Sequence, residues 1–217
     1  MLRRTLAPLF ASAILVALVL PGSALALRVH VRVEGATKTI FGATEPYVTP
    51  FTGTLDAGDG ATVELEQPTA LGALEAASAA GEFFYRLIGS SFGPYVGQIG
   101  RTPGSGASGW VFKVNGVSPP VGADAYVVRD GDTVLWYYAT FAAAGGPLTL
   151  DLARSGACLR AYEVNDAGER AKAEDVVFLL DGRSVESASG RLCPTGHWHS
   201  VRATKDGGVR SEVLRPG

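Results

Sequence analysis

Sulfur and imidazole are scarce in this chain, and that scarcity narrows its chemistry. The 217 residues include two cysteines, Cys158 and Cys193, and three histidines, His30, His197 and His199. No Cys-x-x-Cys spacing occurs, and two cysteines alone do not complete a zinc site. There is no HExxH, GxSxG or P-loop pattern, so the usual signatures of metalloprotease, serine hydrolase and nucleotide chemistry are missing. No acid/base constellation surrounds the histidines. The chain therefore reads as no evident enzyme, with no catalytic residue and no metal ligand assigned.

Basic charge is also in short supply. Nineteen Lys and Arg face 21 Asp and Glu, and without Arg3 and Arg4 the balance is 17 against 21, a net charge of about −4. Such a surface has no excess with which to neutralise a phosphate backbone, which argues against a nucleic-acid partner.

Long apolar runs are confined to the N-terminus. Arg3 and Arg4 precede an uncharged apolar stretch from Leu9 to Leu20, Pro21-Gly22-Ser23 break it, and Ala24-Leu25-Ala26 supply small residues for a peptidase. This is the pattern of a cleavable secretory signal peptide over 1–26. A membrane anchor needs about 20 apolar residues, more than this core offers, and no later stretch is apolar enough to span. The expected location is extracytoplasmic: secreted, periplasmic or on the cell surface. In that compartment an even cysteine pair reads as a disulfide. Linking Cys158 to Cys193 would contribute about 3–4 kcal/mol in the chain-entropy picture.

What is plentiful is glycine, 28 residues, and strict alternation. Val29, Val31 and Val33 fall on one face and Arg28, His30 and Arg32 on the other, which predicts a half-buried strand. One helix is expected from Thr69 as cap to about Ala80, with Leu71, Leu74 and Ser78 on one face and Gly81 as stop. Strands are expected over Phe83–Ile88, Tyr95–Ile99, Trp110–Val114, Tyr126–Val128 and Thr133–Tyr138, with Asn115-Gly116 and Asp130-Gly131-Asp132 as turns. Residues 142–147 read as a linker. Beyond it lie only strands and turns: Leu148–Leu152, Cys158–Val164, Val176–Leu180 and Trp198–Thr204. That spacing predicts a small β-sandwich stapled by the cysteine pair. His197 and His199 would share one side of a strand, and Asp56-Ala57-Gly58-Asp59-Gly60 has turn composition without the spacing of a calcium loop.

One ordered set of motifs goes further. Thr69-Ala70-Leu71-Gly72-Ala73-Leu74 is followed by Phe92-Gly93-Pro94-Tyr95-Val96, Gly109-Trp110-Val111-Phe112-Lys113-Val114-Asn115-Gly116, Gly122-Ala123-Asp124-Ala125-Tyr126 and Asp130-Gly131-Asp132-Thr133-Val134-Leu135-Trp136-Tyr137-Tyr138. This order resembles the transcobalamin-like C-terminal domain of exported bacterial proteins, over 27–141. The resemblance implies a β-grasp-like fold, a mixed sheet cradling one helix, within a mainly β chain. In vitamin B12 carriers such a domain closes over cobalamin opposite a helical barrel, and no segment of this chain reads as that barrel. Residues 148–217 are more loosely similar to immunoglobulin-like or transthyretin-like sandwiches.

The expected function is an exported, non-catalytic binding or interaction module for a small molecule or surface protein. A carrier of corrinoid type, with cobalamin as the ligand the resemblance implies, is the alternative. An unrecognised enzyme comes third. The resemblance sets a ligand-facing aromatic near Trp110. The apolar, proline-stiffened loop residues Val117, Pro119, Pro120 and Val121 are the other contact candidates. Phe112, Trp136 and Tyr138 read as core partners across a sheet. Intact-mass analysis of protein recovered outside the cytoplasm should find a chain starting at Leu27; recovery of only the full-length form in membranes would refute the export reading.

Overall fold

The computed structural model describes residues 27–43, 46–58, 60–91, 93–143 and 145–216. The expected signal peptide lies outside these residues, as do Asp59 and Phe92 of the motifs above. The described residues are mainly β, with one helix and a disulfide. No helix among the described residues is long and apolar enough to cross a membrane.

The N-terminal part contains β1 (Val29–Glu34), β2 (Thr39–Phe41), β3 (Tyr47–Val48), β4 (Gly53–Asp56), β5 (Thr62–Leu65), α1 (Ala70–Gly81), β6 (Tyr85–Ile88), β7 (Tyr95–Ile99), β8 (Thr102–Pro103), β9 (Ser108–Val114) and β10 (Thr133–Thr140). A mixed sheet has the order β2-β1-β10-β9: β1 runs parallel to β10, and β10 antiparallel to β9. The β-branched valines of β1 suit this central position. The helix packs on one face through Leu71, Ala73, Leu74 and Ala77, in a core shared with Val29, Val31, Val33 and Trp136.

Thr69 caps α1 as expected, its hydroxyl accepting from the Gly72 N–H at 3.1 Å. The stop is one residue later than expected. Gly81 is still helical, and Glu82 takes the left-handed conformation at φ 52°. Two aromatic rings explain Gly81: a Cβ there would lie 2.5 Å from Phe41. Tyr126–Val128 is not a strand. Val127 makes an isolated bridge to Thr69, which ties this segment to the helix start.

The C-terminal part contains β11 (Thr149–Ser155), β12 (Cys158–Val164), β13 (Arg170–Lys172), β14 (Val176–Leu180), β15 (Arg183–Ser187), β16 (Arg191–Leu192) and β17 (Val201–Thr204). β11, β12, β13 and β16 form one antiparallel sheet, and β15, β14 and β17 another. Leu150, Leu152, Leu159, Ala161, Val176, Phe178, Val201 and Ala203 share the core between them. Cys158 and Cys193 are bonded, and the bridge lies beside the Leu159↔Leu192 pair. The strand expected from Trp198 begins only at Val201, and His197, Trp198 and His199 precede it.

The half-buried reading of β1 is corrected by this second unit. All six of its residues are buried, the polar ones included. Glu34 is 1 % exposed and accepts from Arg32 at 3.1 Å and Arg210 at 2.8 Å. Arg202 also pairs with it, and the Thr39 hydroxyl donates to it at 3.1 Å. Arg202 and Arg210 come from the C-terminal part, so the polar face of β1 is an internal joint. Burial pushes the Arg32 and Arg202 guanidinium groups below their ordinary range, and the Glu34 charge opposes that shift. On the same face, Leu135, Tyr137 and Ala139 of β10 pack with Val111 and Val209.

Lys113 makes a second pin. It is fully buried, and its ammonium donates to Thr149 Oγ1, Val164 O and Asn165 O at 3.3, 3.1 and 2.9 Å, with Asp166 Oδ1 at 3.5 Å. Desolvation lowers its pKa against the pull of Asp166. A lysine titrating lower in the folded chain than in the unfolded one binds fewer protons there. Its contribution to stability therefore rises as pH climbs through the folded value toward the ordinary lysine range.

Removing a buried partner from such a cluster leaves charges uncompensated. Glu34→Ala should lower the unfolding free energy by about 3–5 kcal/mol, read by urea denaturation, whereas a loss under about 1 kcal/mol would mean that the cluster behaves as a solvated surface pair.

Candidate ligand-binding cleft

β9 is an edge strand of the mixed sheet, and its even-numbered side chains face the helix. Trp110 lies opposite Tyr138 and Phe112 opposite Trp136. The first pair meets edge to face at 5.5 Å, and the second stacks at 5.2 Å. Trp110 is buried, and its indole N–H donates to Thr102 O at 2.8 Å. Trp136 is equally buried, yet its indole N–H has no acceptor among the described residues.

A two-residue turn ends β9. Asn115 and Gly116 both have positive φ, 51° and 84°, the conformation that Asn-Gly favours, and Val114 exchanges hydrogen bonds with Val117 across it. Asn115 Oδ1 accepts from Thr133 N at 2.9 Å, which fixes the turn to β10. The loop that follows is held from the other unit. Ser118 N–H donates to Asp166 O at 2.8 Å and its hydroxyl to Asp166 Oδ1 at 2.9 Å.

These elements enclose a cleft of about 300 Å³. The buried side chains Leu71, Leu87, Val96, Trp110 and Trp136 line it, together with Phe112, Pro94, Pro119 and the half-exposed Tyr95 and Phe141. Its polar lining includes Ser118, Tyr137 and Asp166, and Asp166 is the one charged residue among the described lining. Burial, reinforced by the Asp166 charge, pushes the Tyr137 phenol up to about 12.

Of the five contact candidates from sequence, Trp110 and Pro119 line the cleft. Val117, Pro120 and Val121 are exposed and do not line it. Val117 lies against Gly168, where an added Cβ would come within 2.8 Å of its side chain. Tyr95, Trp136, Phe141 and Asp166 are lining residues that the sequence reading did not assign to ligand contact. Asp166 had no local signal at all, since it comes from the turn after β12.

The other polar motifs serve turns. Asp56 accepts from Gly58 N at 2.7 Å, and Asp132 from Arg129 N at 2.7 Å. His197 and His199 are exposed and meet edge to face at 5.1 Å. Asp181 receives the backbone N–H groups of His199 and Ser200, and these hold its carboxyl below the usual range. No cluster of three or more His, Cys, Asp or Glu suited to a metal occurs among the described residues.

Residues 68–140, which supply α1, β9, β10 and most of the cleft, match the family described as Domain of unknown function (DUF4430). Among solved structures, a crystal structure of haptocorrin in complex with Cbi matches with 20 % identity and a TM-score of 0.41, over 54 % of this chain and 25 % of that one. The chain thus spans about a quarter of the haptocorrin chain it matches. No curated protein gives a significant match.

Burial and exposure separate two roles within the matched domain. Trp110→Ala should cost about 3–5 kcal/mol, as for a buried aromatic, while the exposed Val121→Ser should change stability by less than about 0.5 kcal/mol. Thermal unfolding of the two variants checks this, and equal melting temperatures would contradict the packing described.

Proposed function

We propose that this protein is an extracytoplasmic, non-catalytic binding module whose ligand seats in the cleft beside Trp110 and Trp136. One observation carries the reading: buried and exposed apolar side chains line an open cleft that has few polar groups. A ligand with an apolar body would cover the exposed Tyr95 and Phe141. Apolar clefts with few polar groups are the usual form of a small-ligand site. The disulfide supports an oxidising compartment.

The corrinoid-carrier reading rests on the sequence resemblance of residues 27–141 to the transcobalamin-like C-terminal domain. An open cleft of about 300 Å³ would take only an edge of so large a macrocycle, as a lid does. Titration with cyanocobalamin, followed by its visible absorbance, decides this alternative: saturable micromolar binding favours it, and none by about 1 mM removes it.

The cleft itself is tested with the apolar dye anilinonaphthalene sulfonate. Dye fluorescence should saturate, and Tyr95→Ser with Phe141→Ser should weaken binding about tenfold while stability stays within about 1 kcal/mol. Unchanged dye binding by the folded double variant would overturn the site.

A further inference from the structure

Both faces of the mixed sheet are occupied. The helix covers one, and Val209 with the arginines around Glu34 covers the other. What the cleft meets is therefore the edge strand β9, and the state of that edge can be derived. Asn115 N–H donates to Thr133 O, and Phe141 N–H donates to Ala107 O, both at 2.9 Å and in one continuous register. In an antiparallel pair the residues alternate between bonded and non-bonded positions. The odd-numbered residues of β9 therefore bond to β10, and the even-numbered ones direct N–H and C=O outward.

At the two ends of β9 these outward groups are engaged. Ser108 N–H donates to Ser105 O at 2.9 Å, and Val114 exchanges bonds with Val117 at 2.9 and 3.0 Å. Between them, Trp110 and Phe112 have no backbone partner among the described residues. Both residues line the cleft. β9 contains no proline, and its one charged residue, Lys113, is fully buried toward the other unit; β7 packs near β9 without forming a ladder with it.

We infer that the cleft receives an extended apolar peptide segment carrying one basic side chain, added as a strand along Trp110 and Phe112 of β9. This rests on the binding-module reading above and names its partner. Donors and acceptors repeating at every second residue match the period of another extended backbone, and strand addition is an established mode of peptide capture. Charge selects the basic residue. Asp166 is the charged group lining the cleft, and its counter-ion Lys113 is buried where no guest can reach it. Apolar guest side chains would cover Tyr95 and Phe141.

The test uses capped hexapeptides of alternating Val and Thr with Lys at one end, and the full chain. The parent peptide should bind saturably and slow amide exchange at Trp110 and Phe112. Two isomers N-methylated on alternate amides separate backbone from side-chain recognition: one should retain binding, and the other should lose at least about tenfold. Replacing Lys by norleucine should cost about threefold. Equal binding by both N-methylated isomers, or no peptide binding by about 1 mM, overturns strand addition. If anilinonaphthalene sulfonate still occupies the cleft in that case, the binding-module reading stands and only the peptide falls. If the dye fails as well, both fall.

Discussion

The rest of the structure depends on a carboxylate placed where a strand would ordinarily meet water. Glu34 sits on the central strand β1, and three guanidinium groups and a hydroxyl enclose it. A buried charge is tolerable only when it is paired and hydrogen-bonded. Here Arg202 and Arg210 supply part of that pairing from the C-terminal unit. Folding of β1 in its final environment thus requires the second unit to be in place. Arg32 adds closure from the same strand, since its guanidinium also donates to Arg210 O at 2.7 Å. Buried ion pairs are weak evidence for net stability but costly to break. The cluster therefore specifies how the units meet more than how strongly they fold.

That joint positions the cleft. Lys113 inserts from β9 into the carbonyls of Val164 and Asn165, and Asp166 comes next in the chain. Asp166 then holds Ser118 through both its backbone and its side chain. The loop that carries Pro119 is consequently placed by the C-terminal unit, although it belongs to the family-matched segment of residues 68–140. A change at the joint should be felt at the cleft through this short path of hydrogen bonds. The Ser118 and Asp166 contacts are partly exposed, so this part of the path is the weaker one.

Much of the local structure was legible because its causes are local. Thr69 caps the helix, Asn115-Gly116 makes the hairpin turn, and the period-two runs of β9 and β10 form strands, all for reasons within a few residues. The exposed face of β1 was misread because alternation reports the side chains of one strand and not what will cover them. Arg32 and Glu34 look like solvent-facing residues until Arg202 and Arg210, far along the chain, enclose them. The cleft was legible only in part. Trp110 and Pro119 fall within its motif-rich strand and loop, whereas Tyr95 is brought in by another strand, Phe141 follows β10 and Asp166 comes from the other unit. Val117 stays exposed in the apolar loop, with its side chain next to Gly168.

The same period of two that defines β9 also limits what it can do. Its odd-numbered side chains, Val111 and Lys113, engage the C-terminal unit, and its even-numbered ones, Trp110 and Phe112, engage the helix side. Both sets are largely committed to packing, although Trp110, Val111 and Phe112 also line the cleft. The backbone of the even-numbered residues is the exception, because an edge strand satisfies its ladder on one side only. Water can solvate those groups in the free protein, but apolar side chains crowd the approach. A guest that brings its own backbone replaces that water without disturbing either face. Strand addition would thus leave both faces of β9 packed, and Trp110 would be a core residue through its ring and a contact residue through its peptide group.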